Sequence, residues 1–170
     1  MEKIESFKVN HLLLKKGLYV SRIDNQGGTY VTTFDLRMRT PNQEPVMDNA
    51  PLHTIEHLGA TYLRNSNRSK EIIYFGPMGC RTGFYMVVFG KRSPEDVYQL
   101  VMDMCEYILN FEGKIPGASE KECGNWREQN LEMAKYYIEI YRNDLKKNRR
   151  FVYDDGEEKP SLIKKLFNRK

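Results

Sequence analysis

The sequence is organised around residues 53–57, which read His-Thr-Ile-Glu-His. His53 and His57 lie four residues apart, so on an α-helix their side chains project from one face, one turn apart. The surroundings favour a helix, because capping residue types and Pro51 precede the motif and apolar residues recur around it at helical spacing. Those apolar residues are Leu52, Ile55, Leu58, Tyr62 and Leu63.

Two imidazoles placed in this way can bind one metal ion, with nitrogen-to-metal distances of about 2.0–2.1 Å. Glu56 lies beside the second histidine, within reach to act as a base near the ion. The alternative is a pair of hydrogen-bonded histidines on an ordinary amphipathic helix, since the H-x-x-E-H pattern is short. The metal site is favoured because the chain holds three histidines and two of them are in this motif.

The composition is that of one globular domain with a substantial core, at 170 residues with 40% hydrophobic and 29% charged residues. No apolar run approaches the roughly 20 residues that span a bilayer, and the N-terminus has no segment of signal-peptide type. The chain has three cysteines, Cys80, Cys105 and Cys123. An odd number without the spacing of a disulfide framework predicts reduced thiols. We therefore expect a cytoplasmic protein with no membrane partner.

The positive charge of the chain is concentrated at its end. Residues 146–170 hold nine Lys/Arg and four Asp/Glu, a net of +5, so the first 145 residues carry −1 of the total of +4. The basic excess is a property of the tail and not a patch on the folded body. No nucleic-acid partner is predicted.

The pattern of apolar residues predicts a mixed fold. Four β-rich runs are residues 18–23, 29–38, 72–75 and 84–89, and turn residues between the first two predict an antiparallel hairpin. Helices are expected from Ser93 and over about residues 126–145. We predict one α/β (α+β) domain over residues 1–145, with a mainly antiparallel sheet packed on helices in two layers. A basic C-terminal tail, residues 146–170, follows it.

Three residues outside the motif are candidates for function on chemical grounds. Cys80 lies in a glycine-rich loop next to Arg81, which would lower its thiol pKa, and a small buried hydrophobe in a turn is an equally good interpretation. Arg37 lies on a strand, where the pattern favours a solvated residue over an anion binder. His11 precedes an apolar run, where a structural role is favoured.

Six segments, in order over about 140 residues, make the chain resemble the S-ribosylhomocysteine lyases, the LuxS family. Each segment alone would be a weak indication, and their common order is specific. The resemblance covers residues 4 to about 145. The segments are Glu5-Ser6-Phe7 with His11, Phe34-Asp35-Leu36-Arg37, Pro41-Asn42, the motif at residues 53–57, the loop at residues 77–83, and Cys123-Gly124.

The resemblance implies a mononuclear metal site formed by His53, His57 and Cys123. It implies Fe(II) as the native ion, with Zn or Co as substitutes, and a fourth position left open. It also implies a homodimer whose two active sites are shared at the subunit interface. The fold implied is a sheet packed on helices, which agrees with the pattern of strands and helices.

The resemblance also implies an activity and roles for five further residues. The reaction cleaves S-ribosylhomocysteine to homocysteine and 4,5-dihydroxy-2,3-pentanedione, the precursor of autoinducer-2. Cys80 and Glu56 match the catalytic acid/base pair of the family. Ser6, His11 and Arg37 match positions that bind or orient the substrate.

The chain departs from the family pattern at two places. Many members have Asp-Ile-Ser where this chain has Tyr74-Phe75-Gly76, so an acidic contact to the sugar is lost or supplied elsewhere. Gln129 stands where a histidine is frequent. Neither change affects a metal ligand or the acid/base pair, so we expect the chemistry to be retained.

Two other functions use part of the same pattern. An inverted zinc metallopeptidase shares H-x-x-E-H, but it takes a downstream carboxylate as ligand and leaves Cys80 and Cys123 without a role. A structural metal module would need a fourth protein ligand, for which Cys80 is the obvious candidate.

Overall fold

The structure, a computed structural model, describes residue 4 and residues 8–154, and it confirms the predicted α+β fold. Four strands form one antiparallel sheet in the order β1-β2-β4-β3. The strands are β1 (Gly17–Gln26), β2 (Thr29–Arg37), β3 (Ile72–Pro77) and β4 (Gly83–Phe89). The helices are α1 (Asn49–Asn65), α2 (Pro94–Leu109) and α3 (Leu131–Asn148), with a 3-10 turn at Ser69–Glu71. Among the described residues, no helix is both long enough and apolar enough to cross a bilayer.

The predicted hairpin between the first two strands is confirmed. Gly27 and Gly28 connect β1 to β2, and both have positive φ values, +58° and +84°. A two-residue turn with both central residues in this region matches the right-handed twist of the strands it joins. Gln26 therefore pairs with Thr29 at the end of the hairpin, and the strands stay paired back to Gly17 opposite Arg37, with one register shift between Val20 and Arg22.

The side chains of β2 divide the sheet into two faces. Phe34, Leu36 and Met38 are fully buried in the core cluster with residues of all three helices. Asp35 and Arg37 occupy the alternate positions and therefore project from the opposite face. All three helices thus cover one face of the sheet, which gives the two layers expected from the sequence.

Burial of one face holds α1 against the sheet. Asp48 occupies the N-cap position, but its side chain makes no capping hydrogen bond. Leu52, Ile55 and Leu58 are buried in the core cluster, and burial of each such side chain contributes about 1.5–3 kcal/mol. The packing of α1, more than its cap, therefore fixes the orientation of the 53–57 motif.

The last helix is displaced from its predicted position. The sequence predicts it over about residues 126–145, but it begins at Leu131 because the Asn130 side chain caps it by accepting from the Met133 backbone N–H. It ends when Arg149 adopts the left-handed conformation, with φ of +44°. The chain then returns to the sheet, where the Leu18 N–H donates to the Arg150 carbonyl. The domain boundary at residue 145 stays a prediction, and residues 155–170 lie outside the described residues.

We predict that Gly83→Ala destabilises the fold. A Cβ at Gly83 would lie 2.2 Å from the Leu36 carbonyl oxygen of the neighbouring strand, and a backbone atom in a paired sheet cannot move aside. The expected loss in the free energy of unfolding is about 1–3 kcal/mol, measured by urea denaturation.

Gly79→Ala is the matched control for this experiment. Gly79 lies in the same β3–β4 connection, and a Cβ there meets no atom within 4 Å. Its free energy of unfolding should stay the same or rise slightly, because alanine restricts the unfolded chain. Equal destabilisation by both substitutions would contradict the close approach of β4 to β2.

Candidate metal centre and a second cavity

His53 and His57 of α1 meet Cys123 from the connection between α2 and α3. One ligand atom from each of the three residues lies within 4.8 Å of the other two, and the Cys123 Sγ is 3.4 Å from the His53 Nε2. Sulfur and nitrogen ligands at tetrahedral positions around one zinc-sized ion are about 3.6 Å apart. The three side chains are half-buried and fit one divalent ion with a fourth position left for another ligand.

Backbone carbonyls orient both imidazoles towards this common point. The Nδ1 of His53 is 3.0 Å from the Glu128 carbonyl oxygen, and the Nδ1 of His57 is 2.7 Å from the Pro116 carbonyl oxygen. When Nδ1 donates to a carbonyl, Nε2 is left unprotonated and able to bind a metal. Sequence reasoning missed these carbonyls, since they come from a loop with no recognisable pattern.

Gly117 allows the loop to approach the second histidine. Its φ is +71°, and a Cβ at this position would lie 3.2 Å from the His57 Nδ1. Glycine adopts this backbone conformation without strain, and its lack of a Cβ leaves room for the imidazole. The carbonyl of the preceding Pro116 is thereby directed at the imidazole, so the connection that contributes Cys123 to the triad also positions His57.

Gln129, one of the two departures from the family pattern, lies next to helix α1. Its side-chain oxygen accepts from the Thr54 hydroxyl at 2.7 Å, and its side-chain nitrogen is 3.2 Å from the His53 Nδ1. The Thr54 hydroxyl in turn accepts from the Asn130 backbone N–H. The departure therefore lies beside His53 and holds Thr54 of α1, outside the candidate ligand set.

Glu56 and His57 line a cavity of about 310 Å³ beside the candidate metal site. The other lining residues come from the next turn of α1 and from the Pro116–Gly117 connection. Glu56 is half-buried, so its carboxylate is accessible from this cavity. The helix holds the carboxylate next to one candidate ligand, His57.

A second cavity of about 240 Å³ brings together Cys80, Arg37 and His11. The Arg37 side chain is almost fully buried, so its interpretation as a solvated strand residue is wrong. Its Nε and Nη2 donate to the two carboxylate oxygens of Asp35 at 3.1 and 2.6 Å, and its Nη1 donates to the Thr82 hydroxyl at 2.6 Å. Such a bidentate pair holds the guanidinium in one orientation.

The same guanidinium lies next to the Cys80 thiol. The Nη1 of Arg37 is 3.8 Å from the Cys80 Sγ, and the Thr82 hydroxyl is 3.1 Å from that sulfur. Burial acts to raise the thiol pKa, but hydrogen bonding with Thr82 and the charge of Arg37 outweigh it and lower the pKa below its usual value. The cation responsible is Arg37, from a distant strand, and not the sequence neighbour Arg81.

The remaining sequence candidates are placed as follows. His11 lines the Cys80 cavity, and its Nδ1 is hydrogen-bonded with the Val9 carbonyl. Ser6 lies outside the described residues. Cys105 is fully buried in α2, where it packs in the core and burial raises its pKa to about 12.

The two cavities share no lining residue and belong to different faces of the sheet. The motif on α1 lies on the face covered by helices, because Gly59 of α1 lies against the Phe75 ring of β3, which shares a sheet face with Phe34. Arg37, and with it Cys80, lies on the other face. Cys80 is therefore not a fourth ligand of this chain's own triad, which argues against a closed structural site.

We predict that the triad binds about one metal ion per chain. His57→Ala and Cys123→Ala should each lose most of it, because two ligands hold a divalent ion far less tightly than three. The measurement is metal content by inductively coupled plasma mass spectrometry after anaerobic purification. His11→Ala is the control, since that histidine lies in the other cavity, and it should keep its metal. Full metal content in both triad variants would refute the assignment.

Comparison with known proteins identifies the group to which this chain is related. A family model described as S-ribosylhomocysteinase (LuxS) matches residues 4–151. A protein of Finegoldia magna named S-ribosylhomocysteine lyase is 57% identical over 143 residues, which cover 84% of this chain and 91% of the relative.

Two further relatives of the same name extend the comparison. The protein of Clostridium acetobutylicum is 53% identical over 81% of this chain and 87% of its own length. That of Borreliella burgdorferi is 49% identical over 89% of this chain and 99% of its own length. Matches of this identity and coverage show common descent along nearly the whole domain. The chain therefore belongs to the S-ribosylhomocysteinase (LuxS) family.

Proposed function

We propose that this protein is a metal-dependent lyase that cleaves S-ribosylhomocysteine to homocysteine and 4,5-dihydroxy-2,3-pentanedione. The proposal rests on the His53–His57–Cys123 triad with Glu56 beside it, in a chain of the S-ribosylhomocysteinase (LuxS) family. The Cys80 thiol with its lowered pKa supplies a second proton carrier. These groups are what the reaction needs.

The carbon–sulfur bond of the substrate is not activated in the starting sugar. A thiolate leaves readily when it is β to a carbonyl, because the proton α to that carbonyl is then acidic. The carbonyl must therefore move from C1 through C2 to C3 before homocysteine is eliminated. Each shift removes a proton from one carbon and returns one to its neighbour, so a base and an acid must face the sugar together.

Glu56 and Cys80 are the proposed proton carriers. Glu56 is held by the helix beside His57, and Cys80 is exposed on the β3–β4 loop. The lowered pKa of Cys80 increases its thiolate fraction near neutral pH, so the sulfur is able to accept a proton and return it. Neither residue is needed as a ligand, since the triad provides three.

The substrate is proposed to lie against Arg37, His11 and Ser6. Arg37 and His11 line the Cys80 cavity together, and they offer a cation and an imidazole to hydroxyl and carboxylate oxygens. Ser6 is proposed from the family pattern alone. The buried Asp35 fixes the Arg37 guanidinium, so this part of the site needs no rearrangement when substrate binds.

The metal is proposed to be Fe(II), with Zn or Co able to replace it. When bound, it supplies Lewis-acid stabilisation of the negative charge that develops on the sugar oxygens. Both histidines and the Cys123 sulfur would hold it. A thiolate ligand makes Fe(II) sensitive to air, so protein purified aerobically would lose activity.

The proposed assembly is a homodimer with shared sites, and the position of the two cavities supports it. The sheet lies between Glu56 and Cys80 of one chain, so a small substrate contacts both when they come from different chains. The outer face of the sheet also carries apolar side chains for a partner to cover. Tyr74 and Phe89 are each 47% exposed there, next to Val87. A second copy on this face would bring one chain's Cys80 to its partner's metal.

The proposed location is the cytoplasm, which would keep the cysteines reduced and protect an air-sensitive metal. The three cysteines are free, at separate sites in the fold. Its product would serve as the precursor of autoinducer-2 in quorum sensing, and homocysteine would return to the activated methyl cycle. The proposed partners are the small-molecule substrate and a second copy of this chain, with no nucleic acid or membrane.

We predict that Cys80→Ala and Glu56→Gln keep their metal but lose roughly 10²–10⁴-fold in the rate of thiol release. Each variant removes one positioned proton carrier and leaves the triad intact. The rate is measured by titrating homocysteine thiol after addition of S-ribosylhomocysteine to anaerobically purified protein. Because the proton transfers are serial, a ketose intermediate should accumulate in at least one variant.

Controls of the same residue types separate this effect from general damage. Cys105→Ala removes a thiol buried in α2, and Glu132→Gln removes an exposed carboxylate of α3. Both should release thiol at near wild-type rates. Near-normal release by metal-replete Cys80→Ala would show that this cysteine is not a proton carrier in the reaction.

We further predict that inactive chains carrying Arg37→Ala and His57→Ala recover activity when mixed. In a hybrid dimer, one site takes its metal from the first chain and its Arg37 from the second, so that site is intact. Random exchange makes half of the dimers hybrid with one good site each, so about a quarter of wild-type activity is expected. Subunit exchange is verified with two different affinity tags.

The control for this experiment mixes Arg37→Ala with Cys80→Ala. Both residues lie in the same cavity of one chain, so every site in the hybrid lacks one of them. No recovery is expected for this pair. Recovery by both mixtures, or by neither after proven exchange, would contradict sites shared in this way.

A further inference from the structure

The C-terminal segment following α3 reaches the cavity that holds Cys80. After Arg149, the Arg150 guanidinium donates to the Lys16 carbonyl and to Asp144, and the Phe151 ring packs edge-on against Tyr98. Tyr153 then becomes part of the cavity wall, together with Asp35 and Arg37. Tyr153 lies two residues beyond the stretch matched by the family model.

Tyr153 is held firmly on both its ring and its hydroxyl. The ring stacks on that of Tyr19, with 4.5 Å between centroids and 20° between planes. The hydroxyl donates to the Asp35 Oδ2 at 3.0 Å and also hydrogen-bonds with Ser21. Tyr19 pairs directly with Asp35 across β1 and β2, so the two side chains lie on the same face of the sheet.

The Asp35 carboxylate depends on these donors because it is only 2% exposed. Burial raises its pKa, while Arg37 and the Tyr153 hydroxyl oppose that rise by stabilising the charged form. Three donors share its two oxygens, two from Arg37 and one from Tyr153. Without the Tyr153 hydroxyl, only Arg37 would donate hydrogen bonds to the buried carboxylate. The guanidinium would then be drawn towards Asp35 and away from Thr82 and Cys80.

We propose that Tyr153 is a positioning residue, which holds the Asp35–Arg37 pair in the orientation that places the guanidinium beside Cys80. It acts through Asp35 and Arg37 and does not itself take part in proton transfer. The inference deepens the proposed function and rests on it for the kinetic part of the test. The chemical part of the test concerns the thiol and is independent of lyase activity.

The test compares Tyr153→Phe with wild type in the full chain. This variant keeps the stacked ring and removes the hydroxyl. Alkylation of Cys80 by iodoacetamide at pH 7, followed by peptide mass spectrometry, should slow by about three- to tenfold as the thiolate fraction falls. The KM for S-ribosylhomocysteine should rise by a similar factor, with a smaller change in kcat, because Arg37 is a proposed substrate contact.

Two controls show whether the effect is specific. Tyr136→Phe removes the hydroxyl of a tyrosine that is 52% exposed on α3, and it should leave both measurements unchanged. Arg37→Gln should slow Cys80 alkylation by itself. In that background Tyr153→Phe should add nothing, because the interaction it acts through is already absent.

The proposal is overturned if folded Tyr153→Phe shows wild-type alkylation of Cys80, whatever its effect on thermal stability. Additive effects of Tyr153→Phe and Arg37→Gln would also overturn it, since they would show that Tyr153 acts by another path. Slowed alkylation in a protein that does not release thiol would support the positioning role and refute the proposed function separately.

Discussion

The alternation of side chains along β2 is the constraint on which the arrangement of both cavities depends. Phe34 and Leu36 project to one face and enter the core cluster with the buried residues of α1, so this face is the one that carries the 53–57 motif. Asp35 and Arg37 project to the other face, where they hold Cys80 in a polar network. A shift of β2 by one residue would exchange the two faces and abolish both arrangements. One strand therefore supports two chemically different sites that are directed away from each other.

The two sites achieve their rigidity by different means. The histidines are fixed by apolar packing of their helix and by carbonyls of Pro116 and Glu128, which set their tautomers. The Cys80 site is fixed by a buried ion pair, in which every oxygen of Asp35 has a donor. Loss of one partner from such a pair typically costs 3–5 kcal/mol, since the remaining charge is left buried. We infer that single substitutions disrupt the Cys80 site more than the site formed by His53, His57 and Cys123.

Local patterns in the sequence were sufficient to predict the hairpin, α1, the β3–β4 loop and the meeting of His53 with His57. Each of these depends on residues close together in the chain or on a period of two or 3.6. The burial of Arg37 was not predictable in this way, because the alternation of a strand does not show what covers its outer face. The cover includes Tyr153, 118 residues distant from its partner Asp35. The cation next to Cys80 was misassigned to Arg81 for the same reason. The family resemblance, not the spacing, identified Cys123 as the third member of the triad.

The measurement that tests the central claim most directly is the release of thiol from S-ribosylhomocysteine by anaerobically purified, metal-replete protein. The account predicts one equivalent of homocysteine for each substrate consumed, over many turnovers, and loss of this activity when a chelator removes the metal. The account would be contradicted if protein that holds one metal ion per chain and is fully dimeric consumed no substrate.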